Sequence, residues 1–178
     1  MTDYNKIFSF GMEQEFIYSV IEIPKGSMNK IEYSTIDKVF MLDRVEPGIF
    51  AKPVNYGFIP QTLDEDGDAL DTLVLTDEPL PMAVVVKAKV IAVLKFVDGE
   101  EKDFKIICVP EDDRHWGNDI KDLTDISQVW RNQIEHHFNH YKDLKKPGTT
   151  VVEGWGDAKE AWEVIEECAK RYKKEFKK

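Results

Sequence analysis

The chain has 178 residues, of which 42% are hydrophobic and 11% aromatic, enough apolar side chains to build one sizeable core. This composition excludes wholesale disorder, and the length favours a single domain over residues 1–178. The 34 acidic residues outnumber the 24 basic ones and give a formal charge of −10. We therefore expect no nucleic-acid partner, because a basic surface supplies most of that affinity, and the charge suits a protein that concentrates cations.

Membrane spans and disulfides are also not expected. The longest apolar run, residues 83–96, is interrupted by lysines and falls short of the roughly 18–20 residues that a span needs. The first 20 residues lack the pattern of a secretion signal. Cys108 and Cys168 lie in apolar patterns without a CxxC motif, which favours a reducing, cytoplasmic location with no membrane partner.

The first two thirds of the chain predict short β-strands separated by proline and glycine. The candidate strands are residues 16–23, 30–34, 39–44, 51–59, 72–76, 83–97 and 104–109. The pair Asp98-Gly99 is typical of a hairpin turn, which residues 100–102 lengthen into a loop. Many short strands joined by long excursions favour a small barrel over parallel β–α–β units.

The last third predicts two amphipathic helices. One covers about residues 124–144, where apolar side chains recur every three to four positions. The other follows Gly156, where Asp157 and Glu160 have the spacing of a capping box. We expect an α+β protein, mainly β, in which both helices pack on the barrel and the longest lies in the C-terminal third.

An acidic segment is the strongest candidate for chemistry, since residues 64–71 contain five acids. Gly67 permits a tight turn that brings Asp66 and Asp68 together, and Asp71 leads directly into an apolar strand. Crowded carboxylates repel one another, and bound Mg²⁺ or Ca²⁺ usually relieves the repulsion. An EF-hand is excluded because the glycine and glutamate required at loop positions six and twelve are missing. A solvated acidic loop is the alternative interpretation.

Further charged and aromatic candidates lie along the predicted strands and at the end of a helix. Glu22 ends an otherwise apolar strand face, and Lys30 and Glu32 share one side of the next strand. The remaining candidates are Arg44, Tyr56, Asp98, Asp103, Lys105, Tyr141 and Lys142. Acids for divalent ions and Lys, Arg and Tyr donors for phosphoryl oxygens together suit metal-assisted phosphoryl transfer to water. The sequence has no phosphate-binding P-loop, dinucleotide-binding glycines or GxSxG motif.

In the order and spacing of these residues, the chain resembles the soluble family I inorganic pyrophosphatases, most closely their short prokaryotic-type members. The resemblance covers residues 20–155, and its acidic signature is Asp66-Gly67-Asp68-Ala69-Leu70-Asp71. The flanking matches are Ile21-Glu22-Ile23-Pro24, Asn29-Lys30-Ile31-Glu32-Tyr33, Asp43-Arg44, Asn55-Tyr56-Gly57-Phe58-Ile59-Pro60, Asp98…Asp103-Phe104-Lys105, His140-Tyr141-Lys142-Asp143-Leu144 and Val152-Glu153-Gly154-Trp155. It implies a five-stranded, OB-like closed β-barrel with flanking helices. It also implies hydrolysis of pyrophosphate to two phosphates by Mg²⁺-activated water with in-line phosphoryl transfer.

The resemblance further implies a role for each candidate. The acids that would hold several divalent ions, Mg²⁺ or Mn²⁺ in its place, are Asp66, Asp71, Asp98, Asp103, Glu22 and Glu32. Asp68 matches the acid that takes a proton from the attacking water. The donors that would bind pyrophosphate are Lys30, Arg44, Tyr56, Lys105, Tyr141 and Lys142. Gly148 stands where family members often carry another lysine, which leaves Lys145 or Lys146 as candidate replacements.

Three histidines lie on the first predicted helix, where His136 and His140 share a face. Because no HExxH motif is present, we expect them at a subunit contact rather than on zinc, and the resemblance implies a homohexamer. Two other functions stay open. One is a barrel that binds a phosphorylated or acidic ligand without turnover, which would not need all these aspartates. The other is hydrolysis of organic diphosphates such as nucleotides, for which the sequence reveals no base-binding pocket.

Overall fold

The computed structural model describes residues 2–11, 16–115 and 117–176. The strands in these ranges are β1 (Ile17–Ile23), β2 (Asn29–Ser34), β3 (Val39–Val45), β4 (Asn55–Phe58), β5 (Asp71–Val74), β6 (Val85–Asp98), β7 (Glu101–Lys102), β8 (Lys105–Pro110) and β9 (Thr150–Gly156). The helices are α1 (Gln128–His140) and α2 (Ala158–Phe176), and 3₁₀ turns cover Tyr4–Lys6, Gly48–Phe50 and Leu123–Asp125. None of the described helices is long and apolar enough to cross a membrane.

Five strands form a closed ring in the order β1-β4-β5-β8-β6, because β6 also pairs with β1. Strands β5 and β8 run parallel, and the other neighbouring pairs are antiparallel. Strand β6 has 14 residues, so it can pair with β1 near its start and with β7 and β9 near its end. Strands β2 and β3 form a separate hairpin. The ring confirms the predicted α+β class and five-stranded closed barrel.

Both faces of the barrel strands are buried. On β8, Ile106 and Cys108 pack in one apolar cluster with α2, whereas Ile107 and Val109 pack in another with α1, as the alternation of side chains along a strand requires. Helix α2 contributes Ala161, Ile165 and Cys168, and α1 contributes Ile134 and Phe138. Burying a side chain the size of leucine contributes roughly 1.5–3 kcal/mol, so these contacts hold both helices on the barrel, as predicted.

The strand boundaries differ from the sequence-based prediction in three places. The strand predicted at 51–59 is reduced to β4, because Gly48–Phe50 forms a 3₁₀ turn and Pro53 has no amide hydrogen for a strand ladder. Strand β7 occupies part of the predicted hairpin loop. Strand β9 was not predicted, since Gly154 and Gly156 interrupt its apolar alternation and glycine weakens a strand pattern.

The helix boundaries are set by capping residues. Helix α1 begins four residues later than predicted, because Ser127 Oγ accepts a hydrogen bond from the Trp130 amide and so caps the helix there. At the start of α2, Asp157 Oδ1 accepts a hydrogen bond of 2.9 Å from the Glu160 amide, as the predicted capping box requires. The Glu160 carboxylate lies 2.5 Å from Lys95 Nζ on β6, an ion pair that ties the helix to the barrel.

Gly57 lies where β4 comes closest to β1. A Cβ atom at this position would stand 2.1 Å from the carbonyl oxygen of Val20. Gly57→Ala is therefore expected to push the two strands apart and to lower the free energy of unfolding by roughly 1–3 kcal/mol, measured by urea denaturation. Gly48→Ala is the matched control, since the nearest atom there is the Met28 sulfur at 3.7 Å. Equal losses from both substitutions would contradict this account.

Candidate active site

The predicted site residues meet at one rim of the barrel, beside the β2–β3 hairpin and the end of α1. These residues lie close enough for their charges to shift one another's pKa values. The Asp71 carboxylate affects the ionisation of Glu22, Tyr56, Asp68 and Lys105. The charged groups that affect Tyr141 are Arg44, Asp98, Asp103 and Lys105. Residues from strands, loop and helix that are far apart in the chain thus lie together.

Lys105 is the most deeply buried charge of this rim, with a residue exposure of 1%. Parallel pairing of β5 with β8 sets Asp71 opposite Lys105, and the ammonium contacts the carboxylates of both Asp71 and Asp103. Burial disfavours the charged ammonium, but the two carboxylates outweigh it and raise the pKa of Lys105. The Tyr56 hydroxyl donates a hydrogen bond to Asp71 Oδ2. One buried cation thus fixes the positions of two acids and a tyrosine.

Glu22 is buried near the end of β1, where its Oε1 accepts a hydrogen bond of 2.7 Å from the Tyr33 amide. Burial and the neighbouring Asp71 carboxylate raise the pKa of Glu22 to about 8. The sequence pattern marked this residue because a carboxylate ends an apolar strand. A buried carboxylate beside a second carboxylate is a position at which a bound cation would be favourable.

The acidic loop before β5 is shaped by backbone hydrogen bonds. The Asp64 amide donates to the Asp68 carbonyl at 2.7 Å, the Asp68 amide donates to Asp66 Oδ1 at 3.0 Å, and Gly67 has a φ of +93°. Partial burial of the carboxyl group, together with the Asp66 and Asp71 carboxylates, raises the pKa of Asp68. Asp66 and Asp68 remain exposed to solvent. The turn predicted at Gly67 is therefore present, and it brings these two carboxylates together.

Helix α2 holds the start of this loop through hydrogen bonds. The Leu63 amide donates to the Cys168 carbonyl at 3.1 Å, and Arg171 donates to the Leu63 carbonyl at 2.7 Å. Arg171 also lies 3.6 Å from the Asp64 carboxylate, whose pKa is raised to about 6, chiefly by burial. Asp64 was not among the predicted site residues. It serves the loop as a buried attachment point, a role that no sequence pattern distinguishes because Asp64 is one of several clustered acids.

The β2–β3 hairpin holds the second group of cations. Lys30 and Arg44 are register partners across the two strands. The Lys30 ammonium contacts Glu32 and lies 3.5 Å from Asp43, and Arg44 lies 2.5 Å from both Asp43 and Glu46. The hairpin therefore presents two basic side chains side by side, each held by carboxylates.

The end of α1 supplies the third group. The Lys142 ammonium contacts Asp98, the last residue of β6, and the Tyr141 hydroxyl lies 3.5 Å from the same carboxylate. Burial and Asp98 raise the pKa of Tyr141, so its hydroxyl stays protonated and can donate a hydrogen bond. The helix end thus reaches the rim formed by the strands.

Lys52 belongs to the same rim and was missed by sequence reasoning. Its ammonium lies 4.7 Å from the centre of the Tyr56 ring and 5.2 Å from that of Tyr141. Burial and the neighbouring Lys105 ammonium lower the pKa of Lys52 to about 8. In the sequence this lysine stands inside a segment predicted as a strand, with nothing to separate it from surface lysines.

The residues fit a divalent cation by donor chemistry. Within the described ranges, no three His, Cys, Asp or Glu side chains are arranged as ligands of one ion, because lysines contact Asp71, Asp98 and Asp103 instead. Carboxylate oxygens are nevertheless the ligands that Mg²⁺ prefers, and the rim brings several of them together. Cations would compete with these lysines for the same oxygens.

The closed barrel gathers acids with Lys, Arg and Tyr donors at one rim, a combination that suits chemistry on phosphorylated substrates. Residues 19–173 match the family model described as inorganic pyrophosphatase. The chain is 57% identical over 176 residues to the inorganic pyrophosphatase of Neisseria meningitidis, covering 98% of this chain and 99% of the relative. It is 56% identical to that of Haemophilus influenzae, covering 97% and 98%. The chain belongs to the inorganic pyrophosphatase family, which confirms the predicted enzyme, an inorganic diphosphatase.

Solved structures agree with this assignment. An inorganic pyrophosphatase from Neisseria gonorrhoeae superposes with a TM-score of 0.93 at 57% identity, covering 96% of this chain and 99% of that one. The inorganic pyrophosphatase from Thermus thermophilus gives a TM-score of 0.89 at 39% identity, covering 97% and 99%. The fold is therefore shared along nearly the whole chain.

His137 lies beneath the site as a buried neutral imidazole whose Nε2 has no hydrogen-bond partner among the described residues. Burial, Lys52 and His136 lower the pKa of His137 to about 3. A lowered pKa means that the folded state is stabilised above the unfolded value near 6.5 and loses this stability as pH falls towards 3. Between pH 7 and pH 5, this group should lower the free energy of unfolding by about 2 kcal/mol.

We expect His137→Phe to remove that part of the pH dependence, since a phenyl ring cannot take up a proton. Urea denaturation of wild type and variant at pH 7 and pH 5 measures the difference. His115→Gln is the control, because His115 is exposed and its pairing with Asp77 lies at the surface. Parallel pH profiles for wild type and His137→Phe would refute the role of this histidine.

Proposed function

We propose that the chain, as a single domain, hydrolyses inorganic pyrophosphate to two phosphates with Mg²⁺, for which Mn²⁺ can substitute. The observation that carries the proposal is the buried ammonium of Lys105 between Asp71 and Asp103, with Tyr56 on the same acid. This arrangement gathers acids and donors on one rim, as hydrolysis of a phosphoanhydride polyanion requires. The names of the relatives support the same substrate.

The acids of the rim suit the binding of several ions. The residues that would hold them are Asp66, Asp71, Asp98, Asp103, Glu22 and Glu32. When bound, Mg²⁺ offsets the charge of the substrate and lowers the pKa of coordinated water. The acids supply hard oxygen donors from strands β1, β2, β5 and β6, from the loop before β5 and from the loop between β7 and β8. The ligands would therefore come from several elements of the barrel.

Substrate binding falls to the neutral and basic donors. The residues proposed to donate to pyrophosphate oxygens are Lys30, Arg44, Tyr56, Lys105, Tyr141 and Lys142. Their charges offset the repulsion between the polyanion and an incoming water, and they stabilise the charge that develops on the leaving phosphate. Lys145 and Lys146 remain candidates for the contact that a lysine at position 148 would make.

Asp68 is the proposed general base. Its position on an exposed loop lets water reach it, and partial burial of the carboxyl group together with the Asp66 and Asp71 charges raises its pKa, which makes it a better proton acceptor. As the water oxygen forms a bond to one phosphorus, the bridging P–O bond on the opposite side breaks and Asp68 takes the water proton. Two phosphates result, and the proton then leaves to solvent.

Release of phosphate from pyrophosphate tests this function directly. We expect hydrolysis with Mg²⁺, restored activity with Mn²⁺ and loss of activity with EDTA. ATP should be hydrolysed far more slowly, because the described rim presents charged and hydroxyl donors that suit phosphates rather than a nucleotide base. Tight pyrophosphate binding without turnover would favour a binding module, and ATP turnover equal to that of pyrophosphate would favour a general phosphohydrolase.

Asp71→Asn should lower kcat/KM at least about 100-fold while the fold survives. The amide keeps the shape of the side chain but loses the charge, and Lys105 keeps Asp103 as a partner. Steady-state phosphate release measures activity, and circular dichroism reports the fold. Asp112→Asn is the matched control, since that acid is exposed and pairs with Arg114 at the surface. Turnover like that of wild type at ordinary Mg²⁺ would remove Asp71 from the site.

We also propose a homohexamer in the cytoplasm, to which the exposed pair His136 and His140 contributes a subunit contact. The two rings lie 4.5 Å apart, and His140 Nδ1 lies 2.8 Å from Asp143, which faces the pair. In a two-fold contact each histidine lies near its symmetry mate, so protonation brings like charges together. Two buried free cysteines support a reducing compartment.

The hexamer should therefore dissociate on acidification, because protonated histidines would repel their symmetry mates across the contact. Light scattering from pH 8 to pH 5 measures the mass of wild type and of the double variant His136→Gln/His140→Gln. The double variant should stay assembled at the lower pH values. Constant mass of the wild type, or identical dissociation of both proteins, would exclude the histidines as the cause.

A further inference from the structure

Lys52 is a buried cation that no carboxylate contacts within the described residues, although the Asp71 and Glu46 charges lie close enough to influence it. Its residue exposure is 9%, yet in the part of the chain that the structure describes its ammonium makes neither a hydrogen bond nor an ion pair. The other cations of the rim differ in this respect. Carboxylates contact Lys30, Arg44, Lys105 and Lys142.

Aromatic rings hold the Lys52 ammonium in place. It lies 4.7 Å from the ring centre of Tyr56, 5.2 Å from that of Tyr141 and 5.7 Å from that of Phe138. Such contacts attract a cation through the electron-rich ring faces, but they leave its three N–H donors without acceptors. The ammonium is therefore positioned, and its hydrogen-bonding capacity is still available.

The backbone of Lys52 is equally well fixed. Its amide donates to the Ser27 carbonyl at 2.9 Å, and its carbonyl accepts from the Gly26 amide at 2.8 Å. These bonds dock the segment before β4 onto the turn between β1 and β2. Lys52 also lines a small pocket together with Lys30 and Glu46. The side chain thus enters the rim from a rigid segment and reaches the same space as Lys30.

An unpaired cation in this position destabilises the empty protein. Burial of a charge is costly, and the Lys105 and Lys30 ammonium groups add repulsion that the Asp71 and Glu46 carboxylates offset only in part. Methionine would fill the same space between aromatic rings without that cost. A lysine here is therefore unfavourable for folding alone, and its charge becomes favourable only when an anion enters the rim.

We propose that Lys52 is a further pyrophosphate-binding residue, whose ammonium donates hydrogen bonds to a phosphoryl oxygen from the aromatic cage of Tyr56, Phe138 and Tyr141. This inference rests on the proposed function of the rim. Both tyrosines of the cage are themselves proposed donors to the substrate, so the Lys52 ammonium lies beside side chains of the proposed substrate site. Phosphoryl oxygens suit it because several ammonium donors can share one dianionic group.

Lys52→Met tests the inference through binding and stability together. With Mg²⁺ present, the Kd of methylenediphosphonate, a non-hydrolysable diphosphonate, should rise at least about tenfold by calorimetry, since hydrogen bonds to charged groups are worth that much. The KM for pyrophosphate should rise in parallel. The melting temperature should stay the same or increase, because a buried unpaired charge has been removed. Lys52→Gln, a second neutral variant, must show the same loss of binding.

Lys87→Met is the matched control. The Lys87 ammonium also lies over an aromatic ring, 4.0 Å from the centre of Phe16, but it pairs with Glu111 away from the rim. It should leave Kd and KM unchanged. Unchanged Kd and KM in Lys52→Met, or a loss of binding accompanied by a lower melting temperature in both Lys52 variants, would overturn the inference. Failure of the wild type to hydrolyse pyrophosphate would instead reject the proposed function, and the diphosphonate titrations would still report on Lys52.

Discussion

The ammonium of Lys105, buried between two carboxylates, is the interaction on which the rim depends. A charge inside a protein must be paired, so Lys105 requires both Asp71 and Asp103 close by. Parallel pairing of β5 with β8 brings Asp71 opposite the lysine, and closure of the ring holds those strands in place. Asp71 then receives the Tyr56 hydroxyl. The arrangement of the site therefore depends on closure of the barrel, which holds β5 beside β8.

The charge balance of the rim follows from the same constraint. Acids exceed bases in the chain as a whole, and at the rim the lysines occupy carboxylates that suit divalent ions. A carboxylate that binds a metal ion can release its lysine, and the lysine is then free to contact an anion. Lys30, Lys105 and Lys142 all have such partners, whereas Lys52 contacts aromatic rings. The lysines that contact carboxylates would therefore be freed for an anion when a metal ion binds those carboxylates, whereas Lys52 would not need a metal ion for this.

The sequence predicted those features of the fold and site that depend on residues close together in the chain. Alternating apolar residues predicted most strands, and the turn at Gly67 predicted how Asp66 and Asp68 come together. It missed β9 because glycines break that pattern. It missed Lys52 because its environment is created by Tyr56, Phe138 and Tyr141, which lie on β4 and at the end of α1. A residue surrounded by such distant elements carries no local signal, whereas spaced acids do.

The topology also has a consequence for the order of folding. Strand β8 lies between β5 and β6, although β6 and β7 precede it in the chain, so the β5–β8 pair cannot form until the chain has turned back. Strand β6 must also reach β1 across several intervening elements. Folds dominated by such non-local pairings fold slowly, since loop-closure entropy is lost before the contacts form. The contact between Lys105 and Asp71, 34 residues apart in the chain, therefore depends on this non-local pairing, whereas Asp103 is a sequence neighbour of Lys105 and needs no such closure.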